Sequence, residues 1–367
     1  MTIKTAYSRK DTIDELCAEL YSGLNKNSQA VIYFGSTKFD PKDLAKGMEK
    51  TFQGACVFGC TTAGEIVSGK MLKQSVVAMS LPSDVVEDIS VQVVENITEE
   101  NQVPKAFQAF QKHYGKPVKD LDIERYVGII LVDGLRGAEE KLMEKIGDLT
   151  DLTFIGASAG DDLAFKQTYV FANGKAYTNA AVLALMRLKK GFDIIKTQSF
   201  CSTGKKLVAT QVDEATRTVL AFNNQPAAQA YAEALGIPAG EAANHFMHAP
   251  VGLMDGDEPY VRSPQQVQGE KIVFYCKINQ GMELDLLEST DIIADTEKAL
   301  KSKLKELGGM SGIINFHCIL RTLELESKGI TEPYGKIFTD IPTIGFSTYG
   351  EEYIGHINQT STILVFK

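Results

Sequence analysis

Long apolar runs are missing from this sequence. Its most hydrophobic stretches, "VGIILV" and "AAVLALM", are far shorter than the roughly 20 apolar residues a bilayer span needs, so no membrane insertion is expected. The opening stretch "MTIKTAYSRKDTIDELCAEL" has no apolar core of a signal peptide, and no export is expected either. Cysteine is sparse: Cys17, Cys56, Cys60, Cys201, Cys276 and Cys318 stand singly, which predicts reduced thiols in a cytoplasm rather than a disulfide framework. Basic charge is short too. With 38 Lys and Arg against 47 Asp and Glu, a net charge of -9 argues against a binder of nucleic-acid phosphates. Low-complexity segments and polyproline linkers are absent.

What is present is an ordinary globular composition. A chain of 367 residues with 44% hydrophobic residues buries a substantial core and suggests two domains. One short pattern recurs along it: "GCTTAGE", "GASAGDD", "GLMDGDE" and "GFSTYGE". Their second glycines, Gly64, Gly160, Gly256 and Gly350, follow at intervals of 96, 96 and 94 residues, and each precedes an acid: Glu65, Asp161, Asp257 and Glu351. Apolar β-rich runs come before each turn, "AVIYFGS", "YVGIILVD", "TRTVLAF" and "SGIINFHC", and another strand-like run follows it. Helix-like stretches intervene at "PKDLAKGMEKTF", "GAEEKLMEKIGDL" and "PAAQAYAEAL". The third unit lacks the hydroxyls of the others. The sequence therefore predicts an α/β fold of two domains, built from repeated β-α-β-turn-β units with sheets inside and helices outside. A composition shift around "FDIIKTQSFCSTGKKLVATQVDEA" places the boundary near residue 215, giving domains 1–215 and 216–367.

These residues carry a family resemblance over nearly the whole chain. "ACVFGCTTAGEI" and "TFIGASAGDD" resemble the N-terminal domain of the FIST family. "NNQPAAQAYAEALG", "HAPVGLMDGDEPYVRS", "HCILR" and "GFSTYGEEYIGHINQT" resemble its C-terminal domain. The resemblance implies an intracellular sensory protein that binds a small polar ligand, amino acids above all. It also implies a signalling partner such as a histidine kinase or a cyclic-nucleotide enzyme. No such module follows in this chain, so the expectation is a stand-alone sensor.

The turns offer two readings. Glycines at this spacing let several backbone N–H groups face one side, a nest for anions such as a ligand carboxylate. On that reading Gly64 opens the nest, Thr61, Thr62, Ser158, Ser347 and Thr348 orient the ligand, and Glu65, Asp161 and Glu351 meet its ammonium group. Arg262 and Arg321 are candidates to clamp a carboxylate. On the other reading the acids and hydroxyls satisfy the N–H groups of their own turns, and the arginines form ordinary ion pairs.

No catalytic or metal constellation stands out. "GASAG" fits the nucleophile elbow of α/β-hydrolases, which makes a serine hydrolase using Ser158 an alternative, although the stretch after it reads as turn and strand rather than helix. His245 and His248 have no further ligand at metal spacing, and Cys56 with Cys60 lacks a second pair. Some members of the resembling family are associated with haem. A haem-binding gas sensor is therefore a second alternative, with His356, His317 and Cys318 as axial candidates.

Overall fold

Three stretches of the chain fold the same way. The computed structural model describes residues 1–99, 102–353 and 355–367, with the side chain of His356 also outside the described part. In the first module, strand Ala30–Ser36 runs parallel to Cys56–Thr62 across helix Pro41–Thr51, and Val76–Leu81 returns antiparallel to Ala30–Ser36. The second module repeats this with Tyr126–Val132, helix Glu139–Gly147, Phe154–Ser158 and the returning strand Ala180–Leu188. The third does so with Gly312–Cys318, helix Ile319–Ser327, Thr343–Thr348 and Thr360–Phe366. The leading strand of each module is buried at every position, as a strand covered on both faces requires. Local signals fix the helices: Asp40 accepts from the N–H groups of Lys42 and Asp43, and Pro41 fills the first helical position.

Between the second and third strands of a module lies a short hairpin that leaves its own sheet. The strand Glu65–Val67 of the first module pairs with Thr343–Thr348 of the third. Glu351–Tyr353 of the third pairs with Phe154–Ser158 of the second, and Val170–Ala172 of the second pairs with Cys56–Thr62 of the first. Each sheet is thus completed by a neighbour, and the exchange closes into a ring of three. A shared core joins them: Phe34 packs 4.5 Å from Phe346, and Phe316 stands 6.1 Å from that same ring.

The sequence unit around Gly256 is not a copy. Strand Val251–Asp255 forms an antiparallel hairpin with Glu258–Arg262, and Gly256 takes φ 58° in the tight turn between them. Val251–Asp255 pairs on its other side with Glu283–Ser289, also antiparallel, so there are three module copies and not four.

The chain divides into two compact units. One comprises Met1–Lys196, Glu297–His356 and Ser361–Lys367; the other Thr197–Thr296 with Ile357–Thr360. This differs from a single boundary near residue 215, because the second unit is inserted within the third module. That module's edge strand Phe192–Gln198 precedes the insertion, and its outer helix Ile292–Leu307 follows it. The inserted unit is an antiparallel sheet with a core of its own, in which Phe222, Ile272 and Leu284 are fully buried together with Tyr231 of the helix Ala227–Leu235. The whole is α/β in class, as the sequence predicts.

Candidate functional site

The repeated turns sit where the ring closes, at the C-terminal ends of the strands Cys56–Thr62, Phe154–Ser158 and Thr343–Thr348. Each turn is bonded to the next strand end. The Ala63 N–H donates to Ser347 O at 3.0 Å, Gly160 N–H to Thr61 O at 3.0 Å, and Ser158 N–H to Gly350 O at 2.9 Å. The first glycine of each turn has one steric cause, met three times. A Cβ on Gly59 would lie 1.8 Å from Tyr33 O, on Gly156 1.7 Å from Ile130 O, and on Gly345 2.2 Å from Asn315 O. In every case the clash is with the residue directly opposite on the parallel neighbour strand. The second glycines are less uniform. Gly64 has φ 128°, whereas Gly160 and Gly350 are not in the left-handed region.

The ring gathers the candidate residues and also buries them. Thr61, Thr62, Glu65, Ser158, Asp161, Ser347, Thr348 and Glu351 are all at most 2% exposed. Most are committed to protein groups. Glu65 accepts from Thr62 Oγ1, from Ser75 Oγ at 2.6 Å and from the Ser75 N–H at 3.1 Å. Burial pushes its carboxyl up to about 7, against the pull of those donors, and the charge of Asp162 adds to the rise. Asp161 accepts from the N–H groups of Phe165, Lys166 and Gln167 and from the Tyr349 hydroxyl. Thr61 Oγ1 accepts from the Tyr169 N–H at 3.0 Å, Ser347 Oγ meets Thr322 Oγ1 at 2.7 Å, and Thr348 Oγ1 accepts from the Gly350 N–H at 2.8 Å. The Asp161 carboxylate holds its own loop, and that of Glu65 ties its turn to Ser75.

Ser158 lies fully buried between carboxylates, 3.0 Å from Glu139 Oε1 and 3.2 Å from Glu352 Oε1. No imidazole activates it among its described partners, no helix follows its strand, and no substrate can reach it in this conformation. His317 and Cys318 are 0% and 1% exposed. The His317 ring packs 4.7 Å from Tyr334, whose hydroxyl is 3.0 Å from Nδ1, and burial with the nearby Arg321 charge holds its pKa well below the usual value. Buried and packed in this way, His317 and Cys318 do not fit a haem. The side chain of His356 lies outside the described residues. Arg321 is buried, two residues into the helix Ile319–Ser327. Arg262 is a residue of the inserted unit, where its Nη1 donates to Val261 O at 3.2 Å, whereas the turn residues belong to the three modules. No group of three or more His, Cys, Asp or Glu among the described residues is placed to hold a metal ion.

Beside the first turn the main unit opens a cavity of about 370 Å³. Its polar lining is Ser36, Thr37, Lys38, Lys73, Gln74 and Asp162, with Ala63 and Leu163 completing the wall. Ser36 ends the first parallel strand and Ala63 follows the second, so the cavity occupies the crevice at the carboxyl ends of parallel strands, where open α/β sheets bind ligands. Asp162 Oδ2 accepts from Ser36 Oγ at 2.7 Å, Thr37 Oγ1 at 2.9 Å and the Thr37 N–H at 3.2 Å. Both lysines are ion-paired, Lys38 with Asp11 and Lys73 with Glu326, each at 2.6 Å. The backbone here is unusual. Gln74, Asp162, Leu163 and Phe165 all have φ between 50° and 66°, a region that costs a side-chain-bearing residue energy. Sequence reasoning missed these lining residues; "GSTK" after a buried strand was the available signal.

A mixed α/β body of three hairpin-exchanging modules, carrying an inserted antiparallel unit, defines the architectural class. The chain belongs to the FIST family: the model of the FIST N domain matches residues 29–225 and that of the FIST C domain residues 227–353. FIST domains are associated with sensing in signal transduction. Among curated proteins it is similar to an uncharacterized protein of Methanocaldococcus jannaschii, 22% identical over 285 residues, which is 72% of this chain and 54% of that protein. The chain therefore spans about half the length of the curated relative it matches. No helix among the described residues is long and apolar enough to cross a membrane.

Proposed function

We propose that this protein is a non-catalytic sensor whose ligand, a small polar metabolite and first of all an amino acid, enters the cavity at the first module's strand ends. The observation that carries the reading is the lining itself: two lysines, two hydroxyls and one carboxylate around a space of about 370 Å³, within the range typical of ligand pockets. Lys38 and Lys73 suit an anionic group, the hydroxyls of Ser36 and Thr37 fix orientation, and Asp162 suits an ammonium group. The buried turn residues Glu65 and Asp161 act beneath the ligand as a scaffold. Occupancy is passed to a signalling protein such as a histidine kinase or cyclic-nucleotide enzyme in the cytoplasm.

A thermal-shift screen against the amino acids tests this. At a hundredfold excess over Kd a ligand adds about 2.7 kcal/mol to stability, a rise of several degrees for a chain of this size. The shift should vanish when Thr37→Val and Lys73→Met are combined, and persist in Arg262→Ala. A hit that survives the cavity substitutions, or a panel without any hit, counts against the reading.

A further inference from the structure

We infer that Asp162 is a built-in competitor in an anion site, and that a ligand carboxylate displaces it; the inference rests on reading this cavity as the ligand site. Two hydroxyls and a backbone N–H, from Ser36 and Thr37, converge on the single oxygen Oδ2 of Asp162. Donors converging on one oxygen, one of them a main-chain N–H, make an arrangement that recognises an anion. Lys38 and Lys73 line the same cavity, each paired with a carboxylate that is not part of the lining, Asp11 and Glu326. The anion in place is the protein's own.

The loop that delivers it is held against its conformational preference. Asp162, Leu163 and Phe165 take φ of 53°, 66° and 50°, and leucine and phenylalanine are rarely found there. Other anchors keep the loop down. Tyr349 accepts from the Asp161 and Leu163 N–H groups, and its ring stacks on Phe165 at 4.9 Å. Phe165 is nonetheless 57% exposed. Withdrawal of the Asp162 side chain therefore frees the donors of Ser36 and Thr37, while the Asp162 N–H stays on Thr62 O at 3.0 Å and keeps the loop backbone on the first module. Ligand entry is thus an exchange of one carboxylate for another on the same donors.

The experiment titrates sodium acetate into the full chain at constant ionic strength and follows the Thr37 amide by NMR. Asp162→Gly removes the competitor, and glycine accepts φ 53° without strain. If Asp162 occupies the donors about nine-tenths of the time, acetate should bind this variant about tenfold more tightly than the wild type. Asp162→Asn tolerates the same backbone and loses only the charge; it should fall between the two, and carries the comparison if the glycine variant is unstable. Equal or weaker acetate binding in the variants overturns the inference. Absence of any acetate response at Thr37 in all three proteins also overturns it, while the amino-acid screen still decides the cavity reading separately.

Discussion

Replacing Gly156 with alanine tests the ring of modules at its tightest point. The new Cβ would fall 1.7 Å from Ile130 O, and real Cβ contacts are essentially never under 3.0 Å. The obstacle is backbone on the parallel partner strand, so no side chain can swing aside; the strands Tyr126–Val132 and Phe154–Ser158 must part by more than an ångström. The other edge of Phe154–Ser158 is occupied as well, because Gly156 stands opposite Glu352 of the exchanged hairpin. Losing two or three ladder hydrogen bonds at about 1 kcal/mol each, with overpacking of about 1–3 kcal/mol, gives a loss of about 3–6 kcal/mol. Set against a total stability of about 5–15 kcal/mol, that loss takes from about a fifth of the total to all of it. Urea denaturation followed by circular dichroism measures it. Gly147→Ala, at the end of the helix Glu139–Gly147 where an added Cβ meets nothing within 4 Å, is the control and should be neutral or stabilising. A Gly156→Ala protein within about 0.5 kcal/mol of the wild type would refute the argument, and with it the cause assigned to Gly59 and Gly345.

Other consequences follow from the same geometry. Glu65 has its folded pKa near 7 against 4.5 as the reference, so the folded state binds the extra proton between those values and stability falls as pH rises through that window. The loss is on the order of 3 kcal/mol and is complete above pH 7; Glu65→Gln should flatten this part of the stability–pH curve, and an unchanged curve sinks the assignment. Tyr349→Phe keeps the stack on Phe165 but removes the hydroxyl shared by Asp161 and Leu163, so trypsin should cut after the exposed Lys166 faster than in wild type, with stability lower by about 1–3 kcal/mol. Ser158→Ala should leave any ester hydrolysis by purified protein unaltered; activity that disappears with this change would make the buried serine a nucleophile.

Much of the module was legible in the sequence because its signals are local. The run "AVIYFGS" reads as a buried strand, "PKDLAKGMEKTF" reads as a helix opened by a proline, and the turn glycines mark equivalent positions. The hairpin exchange was not legible, since nothing near Glu65 says that its partner lies at Phe346, far along the chain. The spacing to Gly256 misled for a physical reason: glycine takes positive φ equally in a two-residue hairpin turn, as at Gly256, and in the turn after a parallel strand, as at Gly64. Nor could the sequence decide what the acids and hydroxyls of the turns do. An acid after a turn glycine looks alike whether its donors lie in its own loop, as for Asp161, or at the end of another strand, as for Asp162. Only the depth of burial separates the two.

The most direct test of the account is a crystal structure of the protein grown with whichever amino acid gives the largest thermal shift. Ligand density is expected between Ser36, Thr37, Lys38 and Lys73, with its carboxylate on the Thr37 N–H and the Asp162 side chain moved off it. Ligand density elsewhere in the molecule, with Asp162 still bonded to Ser36 and Thr37, would contradict it.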